Sequence, residues 1–217
     1  MKGMLYKVWS KFLTWFGKLK ILSFGHLPII AYDPDPFYVS GYDIMDILNL
    51  LRPGDVLLRG YNKYLDGKYI PDERGYSHAG LCVGNNQVVH AVSPCVEKCH
   101  AIDFCQADRI MVLRPTCGHE NAVDEALRRV GTPYDFDYQT DEEKLYCFEL
   151  VAKCYPEAEL QLFEVKKFFG LVKRRCYIAK SIYGNPSFMK VFERNAKASA
   201  RGEKAHGVWD LYHPVSD

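Results

Sequence analysis

Two imidazoles and one thiol are the groups in this sequence best suited to acyl-transfer chemistry. Cys147 lies on the apolar face of a predicted helix, His78 begins a predicted strand, and His90 lies on the next strand. Cysteine-based acyl transfer needs a thiolate, an imidazole that exchanges a proton with it, and a polar group that orients the imidazole. Each residue alone has a simpler interpretation, since a helical cysteine is most often a small core residue and His90 could be a half-buried structural histidine.

The distance between the histidines depends on how the predicted hairpin 78–92 closes. HAGLCVG and QVVHAV are joined through the turn residues Gly-Asn-Asn. Because side chains alternate along a strand, a three-residue loop pairs His90 with Gly80 and puts both histidines on one face. Diagonal neighbours then lie roughly 7–8 Å apart, within reach of two imidazoles, and Gly80 leaves space between the rings. A two-residue loop would place the histidines on opposite faces.

The periodicity elsewhere predicts an α+β protein with a mainly antiparallel sheet packed against helices. Pro34 and Pro36 mark a linker, so we divide the chain into an N-terminal basic amphipathic helix with linker, 1–40, and a catalytic domain, 41–217. The predicted helices cover 42–51, 120–130, a segment containing 145–154, and 186–198. The predicted strands cover 55–59, 78–84, 87–92 and 109–115, with a long loop over 60–77.

Composition limits the classes of function. The 217 residues carry 28 basic and 27 acidic side chains, and this balance predicts no nucleic-acid partner. We find no secretory signal and no apolar run of about 20 residues, so we expect a cytoplasmic protein whose eight cysteines are free thiols. We predict no cofactor and no metal site, because Cys95, Cys99, His100 and Cys105 match no strong zinc spacing.

The first residues form a basic amphipathic pattern. Leu5, Trp9, Phe12 and Phe16 recur at helical spacing, and lysines occupy the opposite face. This helix could make peripheral contact with a membrane surface, or it could pack on its own domain.

Five segments in a fixed order resemble the permuted NlpC-type, or YiiX-like, branch of papain-like cysteine hydrolases. They are PGDVLLR, YSHAGLCVG, QVVHAV, GTPYDFDY and YCFELV, spanning roughly 51–153. The resemblance implies a circularly permuted papain-like fold with Cys147 as nucleophile, His78 as base and His90 as the group that fixes the imidazole tautomer. It also implies a helix starting near Tyr146, although a capping-box pattern at 140–143 would start it earlier. That start lets the helix dipole and an imidazolium lower the thiol pKa from about 8.5.

The activity implied by the resemblance is cleavage of an amide through an acyl-thioester, on a small peptide substrate. Backbone N–H groups near Cys147 would bind the oxyanion, and Tyr146 and Ser77 are further candidates for oxyanion or substrate binding. One alternative is a lipid-directed thiol acyltransferase or esterase at a membrane surface, similar to the lecithin:retinol acyltransferase type. Another is a catalytically silent binding module. The sequence specifies neither the acyl donor and acceptor nor the oligomeric state.

Overall fold

The computed structural model describes residues 8–9, 11–12, 19–24, 27–32, 37–61, 72–116, 118–138, 143–167 and 172–195. The strands are β1 (Leu19–Phe24), β2 (Leu27–Tyr32), β3 (Val56–Gly60), β4 (His78–Gly84), β5 (Gln87–Ala91), β6 (Val96–His100), β7 (Arg109–Pro115), β8 (Phe163–Lys167), β9 (Val172–Cys176) and β10 (Phe188–Asn195). The helices are α1 (Gly41–Leu50), α2 (Ala101–Phe104), α3 (His119–Arg128), α4 (Cys147–Cys154) and α5 (Ala179–Tyr183), with a 3-10 turn at Pro156–Ala158.

The central element is a six-stranded antiparallel sheet in the order β10-β7-β3-β4-β5-β6. Strands β1 with β2 and β8 with β9 form two separate antiparallel pairs. The predicted fold class, a mainly antiparallel sheet packed against helices, is confirmed. Helix α1 begins at Gly41 because Ser40 and Asp43 form a capping box, in agreement with the predicted end of the linker. The division into 1–40 and 41–217 stays a prediction.

Each face of the sheet covers its own hydrophobic core, and strand alternation assigns residues to one core or the other. Ala79 and Leu81 of β4 face the first core, which also contains the apolar side of α3 and α4. Cys82 faces the second core, where Phe104 of α2 and Ile47 of α1 pack. Burial on both faces explains why several strands are nearly continuous apolar runs in the sequence.

The predicted last helix over 186–198 is wrong. Residues 188–195 form β10, which pairs antiparallel with β7 along the edge of the sheet. Phe188, Val191 and Phe192 have helical spacing, and Lys, Glu and Arg are good helix formers, so the local pattern favoured a helix. Pairing with β7 overrides this preference, and an irregularity between Lys190 and Phe192 disturbs the strand alternation that would have revealed it.

The predicted N-terminal helix lies largely outside the described residues. Residues 8–9 and 11–12 are helical, and their exposed apolar side chains include Trp9 and Phe12. The chain is already a strand at Leu19, and the β1–β2 hairpin was not predicted. Within the described ranges, no helix combines the length and apolar character needed to cross a bilayer. Residues 62–71 of the predicted long loop also lie outside the described residues.

Candidate active site

The β4–β5 hairpin brings the two predicted histidines into contact. Gly80 pairs with His90, as expected from a three-residue loop, but the loop is built differently. The tip is a two-residue turn in which Asn85 and Asn86 both have positive φ, and a bulge between Cys82 and Gly84 adds the residue that restores the register. His78 and His90 therefore share a face, and His78 Nε2 lies 2.9 Å from His90 Nδ1.

Phe104 of α2 fills the space beside the imidazole pair. Its ring centroid lies 5.6 Å from that of His78 and 5.5 Å from that of His90. The space arises because Gly80 has no side chain: a Cβ there would lie 2.6 Å from a methyl of Val88 and 2.7 Å from the ring of Phe104. The sequence predicted the gap at Gly80 but not the aromatic ring that occupies it.

Arg59 is a second neighbour that sequence reasoning missed. It pairs with His78 across β3 and β4, so both side chains lie on one face. Its guanidinium stacks 4.6 Å from the ring centroid of Phe104, and Nη1 donates a hydrogen bond to the Phe104 carbonyl at 3.2 Å. Burial and this positive charge lower the pKa of His90 to about 3. Burial, Arg59 and His90 likewise hold the pKa of His78 well below its usual range, so both imidazoles are neutral.

Glu97 is a second charged group near the ring of His90, after Arg59. Its Nε2 lies 3.7 Å from Oε1 of Glu97, a half-exposed residue that pairs with His90 across β5 and β6. This distance is longer than a hydrogen bond, but the carboxylate favours a proton on Nε2. His90 Nδ1 is then the acceptor, so His78 donates from Nε2 and keeps an unprotonated Nδ1. No hydrogen bond joins that Nδ1 to any of the described residues.

Helix α4 begins at Cys147, with Tyr146 as its N-cap residue. The expectation of a helix start near Tyr146 is therefore confirmed. Residues 140–142 of the capping-box pattern lie outside the described ranges. The expectation of a lowered thiol pKa is wrong, because Cys147 is only 2% exposed and burial raises its pKa to about 12. Hydrogen bonds from the N–H groups of Ala79, Phe148 and Cys147 itself oppose this effect without reversing it.

The thiol and the imidazoles approach β4 from different sides. Cys147 belongs to the first core with Ala79, whereas the histidines contact Phe104 of the second core. The common point is the start of β4, where the N–H of Ala79, the residue after His78, opposes the rise in the Cys147 pKa. Within the described residues, no hydrogen bond joins that sulfur to His78. The structure thus brings His78 and His90 together and places Cys147 beside the backbone of the next residue.

The two further candidates have backbone partners. The hydroxyl of Tyr146 is fully buried and accepts a 2.7 Å hydrogen bond from the N–H of Tyr177. Ser77 is half-buried, and its N–H donates to the carbonyl of Arg59 at 3.0 Å. Their proposed roles in oxyanion or substrate binding stay predictions.

Metal-binding geometry is not found among the described residues, where no group of three or more His, Cys, Asp or Glu side chains could hold an ion. Seven of the cysteines, including Cys95, Cys99 and Cys105, are described as free thiols.

Comparison with known proteins identifies the family. A family model described as "Permuted papain-like amidase enzyme, YaeF/YiiX, C92 family" matches residues 50–181, more than half of the chain. The chain therefore belongs to this family of cysteine hydrolases, and the resemblance seen in the sequence is confirmed. Among solved structures, it is similar to the metalloprotein YiiX from Escherichia coli, with a TM-score of 0.56 and 18% identity over 66% of this chain and 98% of that one. That likeness establishes the fold alone. No curated protein sequence matches the chain.

Proposed function

We propose that this protein is a cysteine amidase that cleaves a small peptide-like amide through a thioester on Cys147. The observation that carries the proposal is the 2.9 Å contact between His78 and His90 at the start of β4, one residue before the Ala79 amide that opposes the rise in the Cys147 pKa. Family membership supports amide hydrolysis by a cysteine.

In the resting site Cys147 and His78 do not form a thiolate–imidazolium pair, so the proton has to move from the thiol to the imidazole during attack on the substrate. Burial disfavours both the Cys147 thiolate and the His78 imidazolium, so both groups are neutral. In the proposed reaction, His78 Nδ1 takes the thiol proton as sulfur attacks the carbonyl, and then gives it to the leaving amine. Water next attacks the thioester, losing a proton to His78, and releases the acid and the free thiol. This sequence requires the Cys147 and His78 side chains to come into contact when substrate binds.

Two other parts of the site support this chemistry. His90 holds His78 in the tautomer whose Nδ1 can accept a proton. The N–H groups of Cys147 and Phe148 are at the first turn of α4, where helical N–H groups have no intrahelical acceptor. Both N–H groups oppose the rise in the Cys147 pKa, and they can donate to an oxyanion that forms beside the sulfur.

The matched pair Cys147→Ala and Cys154→Ala tests the nucleophile. Both thiols are on α4 and both are 2% exposed, so the two substitutions remove similar buried volume. We expect Cys147→Ala to lower amidase kcat/KM by at least about 10³-fold and Cys154→Ala to change it by less than about threefold. Equal losses would assign Cys147 a packing role and favour a catalytically silent binding module.

A lipid-directed hydrolase or acyltransferase is the second candidate, favoured by the exposed aromatic pair near the N-terminus. Trp9 and Phe12 are 40% and 44% exposed, and their rings stack with centroids 5.6 Å apart. Such side chains suit a membrane interface, where Lys11 could meet anionic headgroups. Sedimentation with vesicles of phosphatidylserine and phosphatidylcholine tests this candidate. Wild type should bind and the double variant Trp9→Ser, Phe12→Ser should not; equal recovery of both would remove its support.

A further inference from the structure

Arg59 is a cation beside the imidazole pair with an unused hydrogen-bonding edge. Its Nη1 is bonded to the Phe104 carbonyl, but its Nε is buried and has no hydrogen-bond partner. Within the described residues, no carboxylate lies within ion-pair distance of its guanidinium. No described residue accepts a hydrogen bond from Nη2 either, so the Nε–Nη2 edge presents two parallel N–H groups.

Arg114 shows what this edge does elsewhere in the same sheet. It is similarly half-buried, and its Nε and Nη2 donate to the two carboxylate oxygens of Asp55 at 2.9 and 2.8 Å. Two parallel N–H groups match the two oxygens of a carboxylate, which makes this pairing both strong and selective. Arg59 presents the same Nε–Nη2 edge, but no carboxylate among the described residues pairs with it.

Burying part of a guanidinium without a partner anion costs folding free energy, because the protein replaces only some of the hydrogen bonds that the group made to water. The stacking on Phe104 and the single carbonyl bond of Nη1 compensate some of this loss. They leave the Nε–H group without a hydrogen-bond partner. A ligand anion would supply the missing partner.

We propose that Arg59 binds a carboxylate of the substrate, next to the amide bond that is cleaved. The inference rests on the proposed amidase function, and it narrows the substrate class to amides that carry an acidic group near the scissile bond. Arg59 pairs directly with His78 across the strands, so an anion on its free edge lies within about one side-chain length of the base. The competing explanation is that Arg59 acts only through its charge on the imidazoles, without touching substrate.

Paired substrates separate these explanations. Succinyl and glutaryl p-nitroanilides carry a carboxylate at two distances from the scissile bond, and their terminal carboxamide counterparts differ only in that charge. We expect the wild type to prefer the acids by at least about tenfold in kcat/KM, the usual consequence of two charge-assisted hydrogen bonds. Arg59→Gln should reduce the preference to less than about twofold, and Arg59→Lys should keep part of it. Arg128→Gln, at an exposed site on α3, is the matched control that should keep all of it.

Binding to an inactive protein provides a readout that does not depend on turnover. With Cys147→Ala protein, calorimetry compares glutaric acid monoanilide with its terminal carboxamide and with the matching phosphonate. The carboxylate should bind at least about tenfold more tightly than the carboxamide, and adding Arg59→Gln should remove the difference. Absence of carboxylate selectivity, its persistence in Arg59→Gln, or tighter binding of the phosphonate would overturn the inference. Activity that survives Cys147→Ala would instead overturn the proposed nucleophile.

Discussion

Replacing Gly80 by alanine should disrupt the imidazole pair through Phe104. The added methyl would lie 2.6 Å from Val88 Cγ1 and 2.7 Å from Phe104 Cε2, both closer than carbon atoms can approach. Phe104 is fully buried, so its ring has to move against its neighbours. Such overpacking typically costs about 1–3 kcal/mol.

The same displacement should lower activity, because Phe104 contacts both imidazoles. We expect Gly80→Ala to lower the free energy of unfolding in urea by about 1–3 kcal/mol. The variant should also have a lower kcat, and the fold decrease in kcat should exceed the fold increase in KM. Gly41→Ala is the matched control, since a methyl there meets no atom within 4 Å. Its unfolding free energy should not fall.

A double-mutant cycle tests the assigned cause. Phe104→Leu removes the ring atoms that would collide with the new methyl and leaves only the contact with Val88, so Gly80→Ala should cost at least about 1 kcal/mol less in that background. Strictly additive losses, or a Gly80→Ala protein as stable as wild type, would refute the reasoning about this contact.

Two further predictions concern charge. Because the pKa values of His78 and His90 are depressed in the folded protein, acid protonates these imidazoles in the unfolded chain first. The contribution of the two neutral imidazoles to stability is therefore complete above about pH 6.5. It is lost as the pH falls from there toward their pKa values in the folded protein. At pH 5.5 the loss of unfolding free energy should approach about 1.4 kcal/mol per imidazole. Urea unfolding of wild type and His90→Gln at pH 7.5 and 5.5 should therefore show a smaller decrease of this free energy in the variant. Identical decreases in the two proteins would contradict a buried, neutral His90. Asp55→Asn should cost about 3–5 kcal/mol, because it leaves the guanidinium of Arg114 without its 1%-exposed carboxylate partner. A loss below about 1 kcal/mol in chemical denaturation would show that the pair contributes little.

The hairpin shows how far local sequence could predict the site. Strand alternation reduced the question to the length of the loop, and the three-residue alternative gave the observed pairing of Gly80 with His90. The actual turn has two residues, and a bulge beside Gly84 restores that pairing. A bulge is set by cross-strand packing as well as by the turn, so its position could not be read from the turn residues alone.

The parts that were missed depend on contacts between distant segments. Arg59 looked like the ordinary end of a strand, and nothing in the pattern around Phe104 singled it out, until the fold placed both residues against His78. The direction of the Cys147 pKa shift was wrong because the helix dipole is local and visible in sequence, whereas burial by the surrounding core is not. The β10 strand was missed for the same reason, since its partner β7 is distant in the chain.

The most direct test of the account is to trap the acyl-enzyme and locate it. Wild-type protein is mixed with an excess of glutaryl p-nitroanilide, quenched in acid within the first turnover, digested and examined by mass spectrometry. The account predicts a glutaryl mass on the peptide that contains Cys147, formed in wild type and in Cys154→Ala but not in His78→Asn. Substrate cleavage without acylation of that peptide, or equal acylation in His78→Asn, would contradict it.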